Sequence, residues 1–269
     1  MRRLLKALPL ALPLMLALAA VGLFLTSCNS GSQAQARFID ALAAFDTQID
    51  VYFNGTVNSG TITGTKYFSS VIFPDVRPSS GYTAVPAGSD TIQAFQAGST
   101  TIEEFQNENV GLNAGTSYTM VATGTVPGGS GSVTILNPTD NNTEPTDGLV
   151  SFRVIDAAIS GPSSVSVYIL SNPAQGLPTC CTGETPTVTV SGPLSGSGAT
   201  SGYVNQSFNS LGTGFTGYVT VAGGGTPIFS FPIANFGDAT EGSIRTIVLT
   251  DNSTQTGFDT VPIILIDLN

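Results

Sequence analysis

Arg37-Phe38-Ile39-Asp40-Ala41 returns 116 residues later as Arg153-Val154-Ile155-Asp156-Ala157, and Val51-Tyr52 returns at the same distance as Val167-Tyr168. Two matches at one offset, with no gap between them, point to a duplicated unit. The order holds further along. Gly81-Tyr82-Thr83-Ala84-Val85 aligns with Gly217-Tyr218-Val219-Thr220-Val221, and Gly115-Thr116-Ser117-Tyr118-Thr119-Met120-Val121 aligns with Gly242-Ser243-Ile244-Arg245-Thr246-Ile247-Val248. The wider spacing of the Gly81 match fits an insertion over 172–201, a Gly/Pro/Ser-rich stretch that holds two cysteines.

The repeated segments read as strands. Ile49, Val51 and Phe53 share one face of an extended segment, as do Val165, Val167 and Ile169. Such period-two alternation, rich in β-branched residues, suits a half-buried sheet. Asn54-Gly55 follows the first of these strands and predicts a hairpin. Further strands are predicted at 65–73, 82–85, 91–96, 117–125 and 132–136, then at 187–190, 217–222, 228–231, 245–250 and 261–266. No helical crossover separates them, so the fold class is all-β. We expect two tandem Ig-like or transthyretin-like antiparallel β-sandwich domains after an N-terminal signal helix. Domain 1 covers 36–138 and domain 2 covers 149–269. The run Asn137-Pro138-Thr139-Asp140-Asn141-Asn142-Thr143-Glu144-Pro145-Thr146-Asp147-Gly148 separates them, with 139–148 as an acidic linker.

Working outward to the N-terminus, Met1-Arg2-Arg3-Leu4-Leu5-Lys6 is a basic start, followed by an apolar run from Ala7 to Leu25. Such a run is long enough to span a bilayer. Pro9 and Pro13 interrupt it, however, and it stops at a cleavage-type site, which favours a secretion signal over 1–27. Leu25-Thr26-Ser27-Cys28 resembles the lipobox of bacterial lipoproteins. That resemblance implies a lipidated Cys28 as the mature N-terminus and a membrane partner reached through the acyl anchor. Residues 28–35 are small and polar and read as a flexible tether. Asn29 stands where an aspartate would mark inner-membrane retention. The expected location is therefore the bacterial cell envelope, at the outer membrane or cell surface.

Composition narrows the function. Removing Arg2, Arg3 and Lys6 leaves five of the eight basic residues against 18 acidic ones, a net charge of −13. Such a chain lacks the Lys/Arg clusters that neutralise phosphates, so no nucleic-acid partner is expected. The chain has no histidine and no tryptophan. Ser-His-Asp and Cys-His catalytic sets cannot be built from it, and a sugar platform would rest on Tyr or Phe alone.

The chain resembles the domain-of-unknown-function family 4397 of bacterial secreted proteins and lipoproteins. The resemblance rests on Asp50-Val51-Tyr52, on Ser80-Gly81-Tyr82-Thr83-Ala84-Val85-Pro86-Ala87-Gly88 and on Gly115-Thr116-Ser117-Tyr118-Thr119-Met120-Val121. With the tandem arrangement it covers nearly all of 36–269, the first copy matching better. Members often carry His or Asn and then Ala-Ser-Pro after the first strand; Asp40-Ala41 and Asp156-Ala157 occupy that place here. The resemblance implies secretion and β-structure, and no established reaction.

Candidate site residues are few. Asp140, Asn142, Glu144 and Asp147 offer oxygen ligands to a calcium ion or else form a solvated linker, and no other cofactor is expected. Cys180 and Cys181 are adjacent and form either a vicinal disulfide or two free thiols; neighbouring Cα atoms lie closer than in ordinary disulfides. Tyr52 and Tyr168 alternate away from the apolar face, as a recognition surface or packed on a neighbouring strand. Asp40 and Asp156 are expected to accept turn N–H groups. Glu103, Glu104 and Glu108 are the densest acids, and Lys66 is the only lysine after the signal. The leading expectation is a non-enzymatic, lipid-anchored binding or structural protein with an unknown protein or glycan partner. The alternative is a carboxylate hydrolase or carbohydrate-active accessory protein, which needs two acids across a cleft.

Overall fold

The computed structural model describes residues 33–43, 47–125, 133–171, 180–192, 199–207, 214–233, 242–252, 254 and 257–268. The signal and Cys28 lie outside them. The first half carries β1 (Gln33–Asp40), β2 (Ile49–Phe53), β3 (Thr56–Asn58), β4 (Thr61–Thr63), β5 (Lys66–Val71), β6 (Val76–Arg77), β7 (Thr83–Pro86), β8 (Gly88–Gln96), β9 (Glu103–Leu112), β10 (Ser117–Gly124) and β11 (Val133–Leu136). The second half carries β12 (Leu149–Asp156), β13 (Ser164–Ser171), β14 (Val188–Ser191), β15 (Val204–Ser207), β16 (Phe215–Val221), β17 (Pro227–Pro232), β18 (Ile244–Leu249) and β19 (Ile263–Leu268).

Each half stacks two sheets. In the first, β11-β10-β1-β6, with β7 also on β1, faces β5-β2-β8-β9; in the second, β15-β12-β18-β19 faces β14-β13-β16-β17. Phe38 and Met120 of one sheet meet Ile49, Val51, Phe53 and Ile92 of the other in the first core. Phe152 and Ile247 meet Val165, Val167, Ile169 and Val219 in the second. The predicted apolar faces of β2 and β13 are thus the core faces.

The pairings of the halves correspond. Gln35 pairs Ser117 and Ser151 pairs Ile244, in both cases parallel. Antiparallel pairing is therefore not universal: the first strand of each half lies parallel to its penultimate one. β1 and β12 are buried along nearly their whole length. The reason is a third core between the halves, where Ile39, Ala41, Val121 and Leu136 meet Ile155, Ala157, Val248 and Leu265. Strands covered on both faces lose period-two alternation.

Three expectations are corrected. β1 begins at Gln33, and Ala34 is fully buried, so 33–35 are strand rather than tether. Asn54-Gly55 does not close a hairpin onto β5. Asn54 leaves β2 with positive φ, and the two-residue hairpin forms at Ser59-Gly60, both with positive φ, joining β3 to β4. That pair of conformations is the one a type I′ turn requires. Finally, Thr83–Val85 does not correspond to 219–221. Ala36 pairs Thr83 and Phe152 pairs Val204, so Ser80-Gly81-Tyr82 corresponds to Ser201-Gly202-Tyr203.

Candidate functional site: the seam between the halves

The repeated arginines meet at the junction. Arg37 stands on β1 and Arg153 on β12, both with side chains facing the other half. Arg37 Nε donates to Thr119 Oγ1 at 2.8 Å, and Arg153 Nε donates to Thr246 Oγ1 at 3.1 Å. Arg153 Nη2 donates to Asp140 Oδ1 at 2.6 Å. Arg37 Nη2 donates to Asp267 Oδ1 and lies 3.5 Å from Asp140 Oδ2. Tyr82 Oη donates to Asp140 at 2.8 Å and Tyr203 Oη to Asp267 at 3.2 Å. The guanidinium carbons sit 5.3 Å and 4.8 Å from the Tyr82 and Tyr203 ring centroids. The seam is thus an approximate two-fold arrangement of Arg, Thr, Asp and Tyr. Removing such charges from water is costly unless each lone pair and proton is matched, and here the hydroxyls supply the matching. Burial alone would lower the Arg37 pKa, but Asp267 and Asp140 beside it hold it above the ordinary value. Burial and the neighbouring carboxylate push the Tyr82 hydroxyl well above the usual tyrosine range.

This geometry corrects the linker reading of Asp140. Its side chain is fully buried between two arginines and is a structural anion of the seam. Asn142 Oδ1 lies 3.4 Å from Tyr82 Oη, Glu144 lies beside Gly242, and Asp147 is exposed. The four predicted calcium ligands are thus not brought together, and no cluster of three metal-ligating acids, Cys or His occurs among the described residues. Sequence reading missed Asp267, Thr119, Thr246 and Tyr203. The Ser-Gly-Tyr triplet at 80–82 and 201–203 was the available signal.

Tyr52 and Tyr168 lie on the non-core faces as expected, but those faces are covered, which overturns the recognition-surface reading. Tyr52 is packed beneath Ile62 of β4, edge-on to Phe95 at 5.9 Å. Tyr168 sits with Tyr218 beneath Cys180 and Cys181, which are joined as a vicinal disulfide across a cis peptide. Asp40 Oδ1 accepts from Leu42 N at 3.0 Å, and Asp156 Oδ1 accepts from Ala158 N at 3.1 Å, the expected turn role. Burial pushes both carboxyls up to about 7. Lys66 Nζ donates to Asp50 Oδ2 at 2.9 Å. Glu103 and Glu104 are neighbours on β9, where the pairing with β8 slips by one residue between Ala94–Phe105 and Phe95–Glu103. Glu108 stands on the same strand.

Beside the seam a cleft of about 390 Å³ opens between the halves, lined by Arg37, Val76, Pro78–Gly81 and Ile263–Ile266.

The profile of the family described as Domain of unknown function (DUF4397) matches residues 34–168. The chain belongs to the DUF4397 family. The match runs from β1 through β13, so it takes in the first half, the seam residue Arg153 and the first two strands of the second half. Comparison with curated proteins finds no match. Among solved structures, a streptococcal virulence factor that binds alpha-glucan is 9% identical, with 85% of this chain and 95% of that one covered at a TM-score of 0.29. CBMbc, of family CBM26, from Eubacterium rectale, solved with maltoheptaose, is 11% identical, with 87% and 96% covered at 0.25. A protein from Bacteroides uniformis described as a candidate cell adhesion protein is 12% identical, with 87% and 97% covered at 0.24. At such scores these likenesses carry no argument about what the DUF4397 chain binds.

Proposed function

We propose that this protein is a non-enzymatic, lipid-anchored envelope module built from two copies of the DUF4397 domain, the second copy spanning 149–269. It works by binding a protein or glycan partner, or by spacing one from the membrane. The observation that carries this reading is the seam. Two sandwiches locked by buried Arg–Asp pairs and a shared apolar core form a rigid body, suited to presenting a fixed surface at the end of an acyl tether. The fates of the acids support a non-catalytic role. Asp140 and Asp267 serve arginines, Asp50 serves Lys66, and Asp40 and Asp156 cap turns. The acidic charge supports the exclusion of nucleic acid as a partner. Cys28 supplies the anchor, at the outer membrane or cell surface.

The test is fractionation with labelled palmitate, comparing the natural chain with Cys28→Ala, followed by protease shaving of intact cells read with an antibody to the second half. The expected result is label and membrane association that both disappear in Cys28→Ala, with the second half lost on shaving. Label retained in Cys28→Ala overturns the anchor. Survival of the second half until the envelope is broken overturns the surface location.

A further inference from the structure

The cleft beside the seam is bounded by two strand edges from different sheets. β6 is the outer strand of its sheet, and β19 is the outer strand of the sheet it shares with β18. Arg37 Nη1 points at Ile266 O, 3.5 Å away, which shows that this carbonyl faces out of the sheet. Within a strand the N–H and C=O of one residue leave on the same side, and every second residue repeats that side. Ile266 and Ile264 therefore turn their main-chain groups toward the cleft, while Leu265 and Ile263 turn theirs toward β18. No described strand pairs with that outer row.

The lining eliminates the other ligand classes. Among the described residues no aromatic ring lines the cleft, so they offer no platform for stacking a sugar. Among the described residues its one charged member, Arg37, is already matched by Asp267 and Asp140, so they offer no unmatched charge for an anion. What remains are the outward main-chain groups of Ile264 and Ile266, about 6.8 Å apart along β19; the Ile266 carbonyl also accepts from Arg37, which leaves both N–H groups and the Ile264 carbonyl open. Apolar walls flank them at Val76, Pro78 and the isoleucines, and the Ser79 and Ser80 hydroxyls lie at one end. The volume falls within the range of ligand sites, about 300–1,000 Å³. Free edge strands are templates for another strand, and extended peptides are recognised by adding to such an edge.

We propose that this cleft receives an extended, uncharged peptide segment of a partner protein, apolar at every second residue, which adds to the free edge of β19 beside Ile264 and Ile266. The proposal rests on the binding reading above and narrows its partner to a protein. Ile266 is 55% exposed, so its side chain can be changed without opening a core.

The test is an amide chemical-shift titration of the purified full chain with the blocked pentapeptide acetyl-Val-Thr-Val-Thr-Val-amide, with maltoheptaose titrated in parallel. The expected result is saturable shifts at Ile264, Ile266, Ser80 and Gly81 with the peptide alone. Ile266→Val keeps both the N–H and a β-branched apolar wall and should bind within about threefold of the natural chain. Ile266→Pro removes the outward N–H and leaves the pairing with β18 intact, a change tolerated on edge strands, and should weaken binding about tenfold for the lost hydrogen bond. Circular dichroism melts establish that both variants fold. Absent shifts, equal binding by Ile266→Pro, or shifts at these residues with maltoheptaose overturn the proposal. A negative titration on a chain that still fractionates through Cys28 overturns the cleft and leaves the envelope reading standing.

Discussion

The two halves cover the same tyrosine in different ways. Tyr52 of β2 and Tyr168 of β13 hold corresponding positions, pairing Gln93 and Tyr218. In the first half the segment after the strand folds back as the β3–β4 ribbon and lays Ile62 on Tyr52. In the second half the Cys180–Cys181 disulfide closes over Tyr168. The scaffold fixes where a cover is needed, because an outward aromatic on a sheet face is apolar area left in water. It does not fix the chemistry of the cover. The seam differs as well: Asp140 lies near both arginines, whereas Asp267 serves Arg37.

The seam supplies the largest test of this asymmetry. Asp140→Ala leaves Arg153 buried without its carboxylate and should cost about 3–5 kcal/mol. Asp267→Ala leaves Arg37 within reach of Asp140 and should cost less. Urea unfolding of both variants measures the difference, and equal losses would erase the distinction between the two acids.

The buried turn acids should instead make the halves behave alike. Burial raises the folded-state pKa of Asp40 and of Asp156 to about 7, well above the ordinary carboxylate range. The folded chain therefore holds a proton that the unfolded chain releases near pH 4. Their contribution is fully present below that pH and is lost as pH rises through 7, with a slope of up to about 1.4 kcal/mol per pH unit for each group. Asp75 beside Asp40, and Asp251 beside Asp156, add to the upward shift. Asp40→Asn keeps the oxygen that accepts from Leu42, so it should flatten the profile and stabilise the chain at pH 8. Asp156→Asn should do the same. Unfolding free energies from pH 4 to 8 test this, and an unchanged slope in either variant would break the equivalence.

The covers should separate under two smaller perturbations. Ile62→Ala removes the first cover and should destabilise by about 2–4 kcal/mol, with faster amide exchange around Tyr52 and Phe95. Dithiothreitol should act on the second cover alone. A disulfide between neighbours closes almost no loop, so its reduction should cost about 1 kcal/mol or less. Hydrogen exchange should rise at 180–184 and stay constant at 56–63; a rise at both would mean that the covers are coupled.

Much of the fold was legible because local rules governed it. The faces of β2 and β13, and the strands near 117–125 and 245–250, follow from alternation and composition. Other features depended on what a strand meets far along the chain. Asp140 sits among polar residues and two prolines, so it reads as solvated linker; only Arg153 and Arg37, brought by other strands, make it a buried anion. Tyr52 and Tyr168 follow the outward period, but a period cannot report that Ile62 and the cysteine pair close over those faces. The parallel direction of β1 and β10 leaves no mark on either strand alone. Gly217-Tyr218 displaced Gly202-Tyr203 in the repeat alignment because a two-residue match is common in a Gly-rich chain.

The parallel pairings also govern timing. Gln35 meets Ser117 and Ser151 meets Ile244, contacts separated by 82 and 93 residues. Closing a loop of that length costs about 2 kcal/mol more entropy than closing a ten-residue one. Hairpins such as β3–β4 can form within microseconds, but the first strand of each half must wait for the penultimate one to arrive. A topology so rich in long-range contacts belongs with the slow folders, in the millisecond-to-second range. For as long as that wait lasts, β1 and β12 hold their edges open, and any chaperone that assists this chain has those two segments to shield.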